Sequence, residues 1–345
     1  MIDLRSDTVT KPSPEMWDRI KSMTNDQLGD DVYQEDSTVN LLEEESAKIF
    51  KKESALFCTS GTQANLLSLL AQTNPGDEVL FEIRSHMALY EVGSASRIAG
   101  LSTWLYQSNQ GTPNIEVLEK SIRDREDIHQ PPTSLIAIEN THSWYGGKII
   151  CPETLKLLRE FSESHFMKFH MDGARIFNAA VALNRPIIDF SQHVDSLMFC
   201  FSKGLSCPVG SMLIGVKEFI NKARKFRKML GGGMRQAGIL AIFGLVALEK
   251  PWIERLKEDH GNAQLLVKLL NEQQDKLQIE KPDTNIVLVT FPETSPMDRI
   301  MSQLTEKGVL ALNVYNQVRF VTHYGIKSED IIRASQIISD LTQTL

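Results

Sequence analysis

Ser196-Leu197-Met198-Phe199-Cys200-Phe201-Ser202-Lys203-Gly204-Leu205-Ser206-Cys207-Pro208-Val209-Gly210-Ser211 carries the strongest structural signal in the chain. Its first half is an apolar run with the aromatic character of a buried strand. Gly204, Pro208 and Gly210 punctuate its second half as a turn. Lys203 stands where the strand gives way to the turn, an odd placement for a solvated charge. An amine desolvated at such a point becomes a nucleophile toward an aldehyde.

Working outward from Lys203, the segment His170-Met171-Asp172-Gly173-Ala174-Arg175 ends another apolar stretch with a carboxylate and a guanidinium. One amine and one carboxylate, each at a strand end, are what a pyridoxal phosphate site requires. The lysine holds the aldehyde as a Schiff base and the aspartate keeps the pyridine nitrogen protonated. Ser60-Gly61-Thr62-Gln63-Ala64-Asn65 comes after a strand candidate and opens a helix. Backbone N–H groups and the helix dipole favour a phosphate there, although Ser and Thr also serve as plain N-caps. The segment does not match the Walker pattern and no GxGxxG occurs, so nucleotide binding has little support.

Between these points the chain alternates helical and strand-like segments. Val39 to Phe50, Ala64 to Leu70 and Thr154 to Ser162 read as helices; Ala55 to Cys58, Glu78 to Glu82 and Leu135 to Glu139 read as strands. That alternation predicts an α/β layer with a mostly parallel sheet over residues 1–250, including an N-terminal arm. Residues 251–345 change style, with strands at Ile286 to Val289 and Val318 to Val321, and predict a smaller α+β domain. At 345 residues the chain is long enough for about two domains.

Composition narrows the function. Apolar content of 42% and charged content of 23% describe an ordinary globular protein. A formal charge of −7 without a long basic run gives no support to a nucleic-acid or membrane surface. The N-terminus lacks the basic start and apolar core of a signal peptide, and Ile239 to Leu248 is too short to span a bilayer. Cys58, Cys151, Cys200 and Cys207 show neither CxxC spacing nor a paired framework, which points to reduced thiols in a cytoplasmic protein. Nothing in the chain calls for a catalytic metal.

His86 and His142 each come just after a strand, where α/β sheets place ligand-contacting groups, although a lone histidine is more often structural. His129, His165, His193 and His260 sit in polar sequence and read as structural. Arg319 interrupts an apolar strand, which suggests bidentate capture of a carboxylate, with a structural salt bridge as the alternative. Lys228 and Arg235 bracket a loop containing Gly231-Gly232-Gly233, where the backbone can approach a partner closely.

Taken together, these motifs resemble the low-specificity L-threonine aldolases of the β-eliminating lyase group, within the aspartate-aminotransferase-like (fold type I) pyridoxal enzymes. The resemblance runs through Asp3 to Thr10, Gly29 to Tyr33, Ser60-Gly61-Thr62, Glu139-Asn140-Thr141-His142, His170 to Arg175, Ser202 to Leu205 and Arg227 to Gly238. It thins beyond residue 250. It implies pyridoxal 5'-phosphate bound through Lys203, with Asp172 on the pyridine nitrogen, Gly61 and Thr62 on the phosphate, and Arg235 reaching the phosphate from a neighbouring subunit. It further implies that His86 stacks on the ring, and that Ser6, Arg175 and Arg319 hold the substrate carboxylate. His86 and His142 would approach the substrate hydroxyl. The implied reaction is retro-aldol cleavage of L-threonine or L-allo-threonine to glycine and an aldehyde, in a homotetramer serving glycine synthesis and threonine breakdown. β-Elimination, racemisation or transamination on the same scaffold is the alternative. Ser143-Trp144-Tyr145 departs from the smaller or polar residues usual at that place and is expected to reshape the pocket or an interface.

Overall fold

The computed structural model describes residues 1–273, 276–292 and 295–343. Seven short strands form its main sheet: β1 (Ser54–Cys58), β2 (Glu78–Glu82), β3 (Ser102–Tyr106), β4 (Thr133–Glu139), β5 (Lys168–Asp172), β6 (Ser196–Cys200) and β7 (Ser211–Gly215). They lie in the order β1-β7-β6-β5-β4-β2-β3. Every pair is parallel except those of β7, which runs antiparallel to both β1 and β6.

The apolar run that ends near Lys203 is continuous because both faces of β6 are covered, as in other parallel sheets. Leu197 and Phe199 point into one core, with Phe201 beyond the strand end. Met198 and Cys200 point into the other, against Ala64 of the helix Gly61–Gln72 and Ile220 of the helix Lys217–Met229. On the first face Phe199 stacks on Phe50 at 5.2 Å between centroids and meets Phe201 edge-on at 4.8 Å. Aromatic pairs of this geometry add to plain area burial.

β7 is the strand that propensity hides, because it sits directly behind the glycine and proline turn. Gly210 makes the reversal with φ of +107°, and a Cβ there would stand 2.5 Å from the Phe57 ring. Only glycine meets both demands.

The second layer of the molecule is a four-stranded antiparallel sheet, Gln278–Ile279, Ile286–Thr290, Gln317–Val321 and Leu312–Val314 in that order. The helices Leu256–Gln273, Met297–Glu306 and Ser328–Gln343 accompany it. The N-terminal arm crosses to this layer. Ile2–Asp3 pairs parallel with Val309–Leu310, and Ile2 and Leu4 lie in the same core as Val287 and Phe320. His260, polar by its sequence neighbours, is buried and hydrogen-bonds Asn178 across the junction at 3.2 Å. Among the described residues, no helix is long and apolar enough to cross a membrane.

Candidate active site

The strands β2, β4 and β5 end at Glu82, Glu139 and Asp172, so the carboxyl edge of the sheet gathers three buried acids. Ligands of open α/β sheets bind outside this edge. Beside it, the chain leaves β1 and enters the helix Gly61–Gln72 through Ser60, whose hydroxyl accepts from the N–H of Gln63 at 3.2 Å. The N–H of Ala64 turns back to the Ser60 carbonyl. The first-turn N–H groups of Gly61 and Thr62 thus remain for an anion at the positive end of the dipole. A Cβ on Gly61 would come within 2.5 Å of the Met198 side chain. Gly232 of the glycine loop lies against Gln63 of the same turn. Arg235 of that loop is exposed and pairs with Asp30 at 3.0 Å within its own chain.

Asp172 is 2% exposed. Its Oδ1 accepts from the Ala174 N–H at 3.1 Å and its Oδ2 from Asn65 Nδ2 at 2.9 Å. Asn65 also donates to Glu91, and Glu91 in turn holds Nδ1 of His86 at 2.9 Å. The backbone N–H of His86 donates to Glu139 Oε2 at 2.7 Å, while Glu139 Oε1 takes the N–H of Ser143 at 2.8 Å. One carboxylate therefore fixes two sides of the cavity. Burial draws the His86 proton affinity down, but the hydrogen bond to Glu91 and the charge of Asp172 outweigh it and leave the imidazole above its ordinary range.

Lys203 is half-buried, and its Nζ has no hydrogen-bond or ion-pair partner among the described residues. Its carbonyl is pinned by the Thr10 hydroxyl at 2.9 Å, so the loop is held although the amine is free. An amine without a partner among the described residues, a buried acid and a helix turn with the Gly61 and Thr62 N–H groups left over are the three attachments that pyridoxal phosphate needs, and the residues fit it.

The two arginines fare differently. Arg175 is buried and grips Asp7 with two bonds of 2.7 and 2.6 Å. Burial would raise the Asp7 carboxyl, yet the Arg175 charge and hydrogen bonds bring it down to about 2. Among the described residues Arg319 has only long contacts, 3.3 Å to the Ser143 hydroxyl and 3.4 Å to the Arg5 carbonyl, and its buried Nε has none. A half-buried guanidinium without a carboxylate partner among the described residues is suited to capture a ligand's carboxylate. Ser6 caps the short turn at Asp7–Val9, accepting from the Thr8 N–H at 3.3 Å.

Beside Arg319 lies a cavity of about 340 Å³ whose walls include His86, Tyr90, Glu139 and Trp144, while Lys203, Asp172 and Arg175 are not on its walls. Nor is His142. It is 0% exposed, with Nε2 on Glu82 at 3.1 Å, and Gly111 backs it so closely that a Cβ there would stand 2.7 Å from its side chain. The two aromatic residues beside it part company. Trp144 faces the cavity, with Tyr315 at 4.5 Å and the Arg84 guanidinium 5.0 Å from its centroid. Tyr145 turns back, donating to Glu82 at 3.2 Å and lying 4.9 Å from the His142 ring. Sequence reasoning passes over Asp7, Asn65 and Glu139, although each lies inside a motif it singles out. Glu91 has no local signal at all.

Comparison with known proteins agrees with this fold. The low specificity L-threonine aldolase of Escherichia coli strain K12 is 39% identical over 332 residues, covering 96% of this chain and 96% of that enzyme. Low-specificity L-threonine aldolase 1 of Arabidopsis thaliana is 38% identical over 96% of this chain and 93% of its own. The structure of Leishmania major threonine aldolase superposes with a TM-score of 0.86 at 18% identity, over 99% of this chain and 100% of that one, which speaks for the fold. A family model described as beta-eliminating lyase, a group of pyridoxal-phosphate enzymes, matches residues 3–294. Of the groups assembled around the cavity only those of the last strands, Arg319 among them, fall outside that span, and the chain belongs to the beta-eliminating lyase family.

Proposed function

We propose that this protein is a pyridoxal-phosphate-dependent aldehyde-lyase that cleaves L-threonine or L-allo-threonine to glycine and acetaldehyde. The observation that carries the reading is the Arg319 guanidinium, without a carboxylate partner among the described residues, lining one cavity with His86. The relatives' printed activity supports it. When bound, the cofactor supplies an electron sink for the bond broken at Cα.

The protein's share is attachment, orientation and one proton. Lys203 anchors the cofactor, Asp172 meets its pyridine nitrogen, and Gly61 and Thr62 take its phosphate. Arg319, with Arg175 and Ser6 behind it, clamps the substrate carboxylate. Clamping the carboxylate would fix rotation about the N–Cα bond and so select which bond at Cα is broken. His86 is then the base nearest the substrate. With Nδ1 committed to Glu91, its Nε2 accepts the β-hydroxyl proton. His142, buried behind the wall, takes the supporting role of bracing Glu82 and the loop after it.

The same reading extends to assembly and setting. Arg235 reaches the phosphate of a neighbouring subunit, which makes the working form a homo-oligomer, a tetramer by the family resemblance, and residues 1–250 and 251–345 act as its large and small domains. A cytoplasmic enzyme of glycine synthesis and threonine breakdown fits the composition. Acetaldehyde and glycine released from either threonine isomer by the wild type, and not by Lys203→Ala, establish the reaction. Pyruvate or another keto acid in place of acetaldehyde would assign a different bond to the site.

A further inference from the structure

A line of buried polar groups runs behind the cofactor pocket, and its hydrogen bonds have only one consistent direction. Gln72 Nε2 donates to the Ser196 hydroxyl at 2.8 Å, and that hydroxyl lies 2.8 Å from Nδ1 of His170. Because both Asn65 N–H groups go to carboxylates, its Oδ1 accepts from His170 Nε2 at 3.1 Å, and the neutral ring is left to accept the Ser196 proton on Nδ1. Full burial holds His170 neutral, with its pKa down at about 4. With its oxygen used, Asn65 has just its two N–H groups left, and they go to Asp172 at 2.9 Å and Glu91 at 2.8 Å. One amide thereby receives two carboxylates side by side. His86, Glu91 and Asp172 bring one ligand atom each within 4.8 Å of one another.

Glu91 is 3% exposed and lies on no motif of the chain. A carboxylate this deep is costly unless it does something for its neighbours. Its oxygen meets Nδ1 of His86, the one ring nitrogen that the cavity does not need. The charged groups that face His86 are Glu91, Asp172, Glu139 and Lys203. Only Glu91 bonds the ring itself, since Glu139 bonds its backbone N–H.

We propose that Glu91 is a positioning residue for the lyase reaction: clamped by Asn65 beside Asp172, it holds the His86 imidazole in the cavity and keeps the proton on Nδ1 so that Nε2 faces the substrate. The assignment rests on the lyase function proposed for this site. It is an orienting partner of the kind that fixes tautomer and ring direction for a working histidine, where loss typically costs about 10- to 100-fold.

The test is a pH profile of threonine cleavage by the holoenzyme, with its visible absorption band recorded at each pH. A base must be unprotonated, so the rate climbs as pH rises through the His86 titration. Glu91→Gln keeps the shape but removes the charge that raises His86. We expect the climbing limb to move to lower pH and kcat/KM at its plateau to fall about 10- to 100-fold, with the band retained. Glu91→Asp keeps the charge and returns the limb toward the wild-type position. An unmoved limb in Glu91→Gln, with activity lost only in proportion to folded protein, overturns the proposal.

Histidine-labelled NMR of the wild-type holoenzyme supplies a readout that needs neither turnover nor a stable variant. His86 titrating above 6.5 with its proton on Nδ1 supports the contact; an Nε2–H tautomer overturns it. Should the wild type release no acetaldehyde, the lyase function fails, while this spectrum still judges the Glu91–His86 pair.

Discussion

At the scale of single residues, the site is governed by which buried charges have partners. Asp7 and Arg175 are a matched pair, both nearly inaccessible and joined twice. Asp7→Asn leaves the guanidinium uncompensated, and removing one member of a buried pair costs about 3–5 kcal/mol. The expected result is a loss of that size in urea unfolding at neutral pH. The pair also sets an acid limit. A carboxyl lowered to about 2 from 3.8 contributes stability that is complete above 3.8 and is lost as pH falls toward 2.

Arg319 is the opposite case, a charge in want of a partner. Arg319→Ala is expected to reduce kcat/KM for threonine by about 100-fold or more, on the scale of one charge-assisted pair, without lowering stability. Arg319→Lys should not restore it, because a point charge lacks the planar fork that meets both carboxylate oxygens. Unchanged steady-state kinetics in either variant would remove Arg319 from the substrate's carboxylate.

At the scale of elements, loops decide what the cavity admits. Adjacent positions 144 and 145 face opposite ways because Glu82 captures the Tyr145 hydroxyl while Arg84 and Tyr315 both pack against the Trp144 ring. Trp144→Ala opens the wall next to the β-substituent. The ratio of kcat/KM for β-hydroxy amino acids with bulky substituents over threonine should then rise several-fold; equal ratios would place Trp144 outside substrate contact. Tyr145→Phe loses one of four donors to Glu82, the others being Ser108, Arg84 and His142, and should change that ratio little. Gly210 marks the hinge between the Lys203 loop and β7. Gly210→Ala meets both a positive φ and the Phe57 ring, and thermal unfolding should fall by several degrees, from a cost of roughly 1–3 kcal/mol.

Over the whole molecule, two deeply placed histidines make stability fall in mild acid. His170 and His260 are both held near about 4 by burial, below the 6.5 they have when unfolded. Below 6.5 the unfolded chain takes up their protons first, so stability present above 6.5 declines as pH drops toward 4. For His170 the full loss is roughly 3 kcal/mol. Urea midpoints measured from about pH 7.5 to about pH 4.5 should fall less steeply for His170→Asn than for the wild type. Parallel slopes would show that His170 is not held neutral.

Much of the architecture was legible in the chain because it depends on local pattern and on covering apolar surface. The run before Lys203, buried on both faces, could only be an interior strand, and the acids and the amine at strand ends are placed by where strands stop. The strands Ile286–Thr290 and Gln317–Val321 and the helix opened by Ser60 were readable for the same reason, whereas the short strands Gln278–Ile279 and Leu312–Val314 were not. What needed the tertiary structure was every relation between residues far apart in sequence. The N-terminal arm joins the second core through Ile2 and Leu4 because a two-residue pairing with Val309 carries no sequence pattern of its own. His142 has the same strand-end position as His86, yet Glu82 and Gly111 draw it behind the wall. Glu91 enters the site only because Asn65, 26 positions away, turns one amide toward two acids. Sequence determines which residues are strand, helix and turn; which charges meet is decided by sheet order and loop reach, and these arise only when the layers pack.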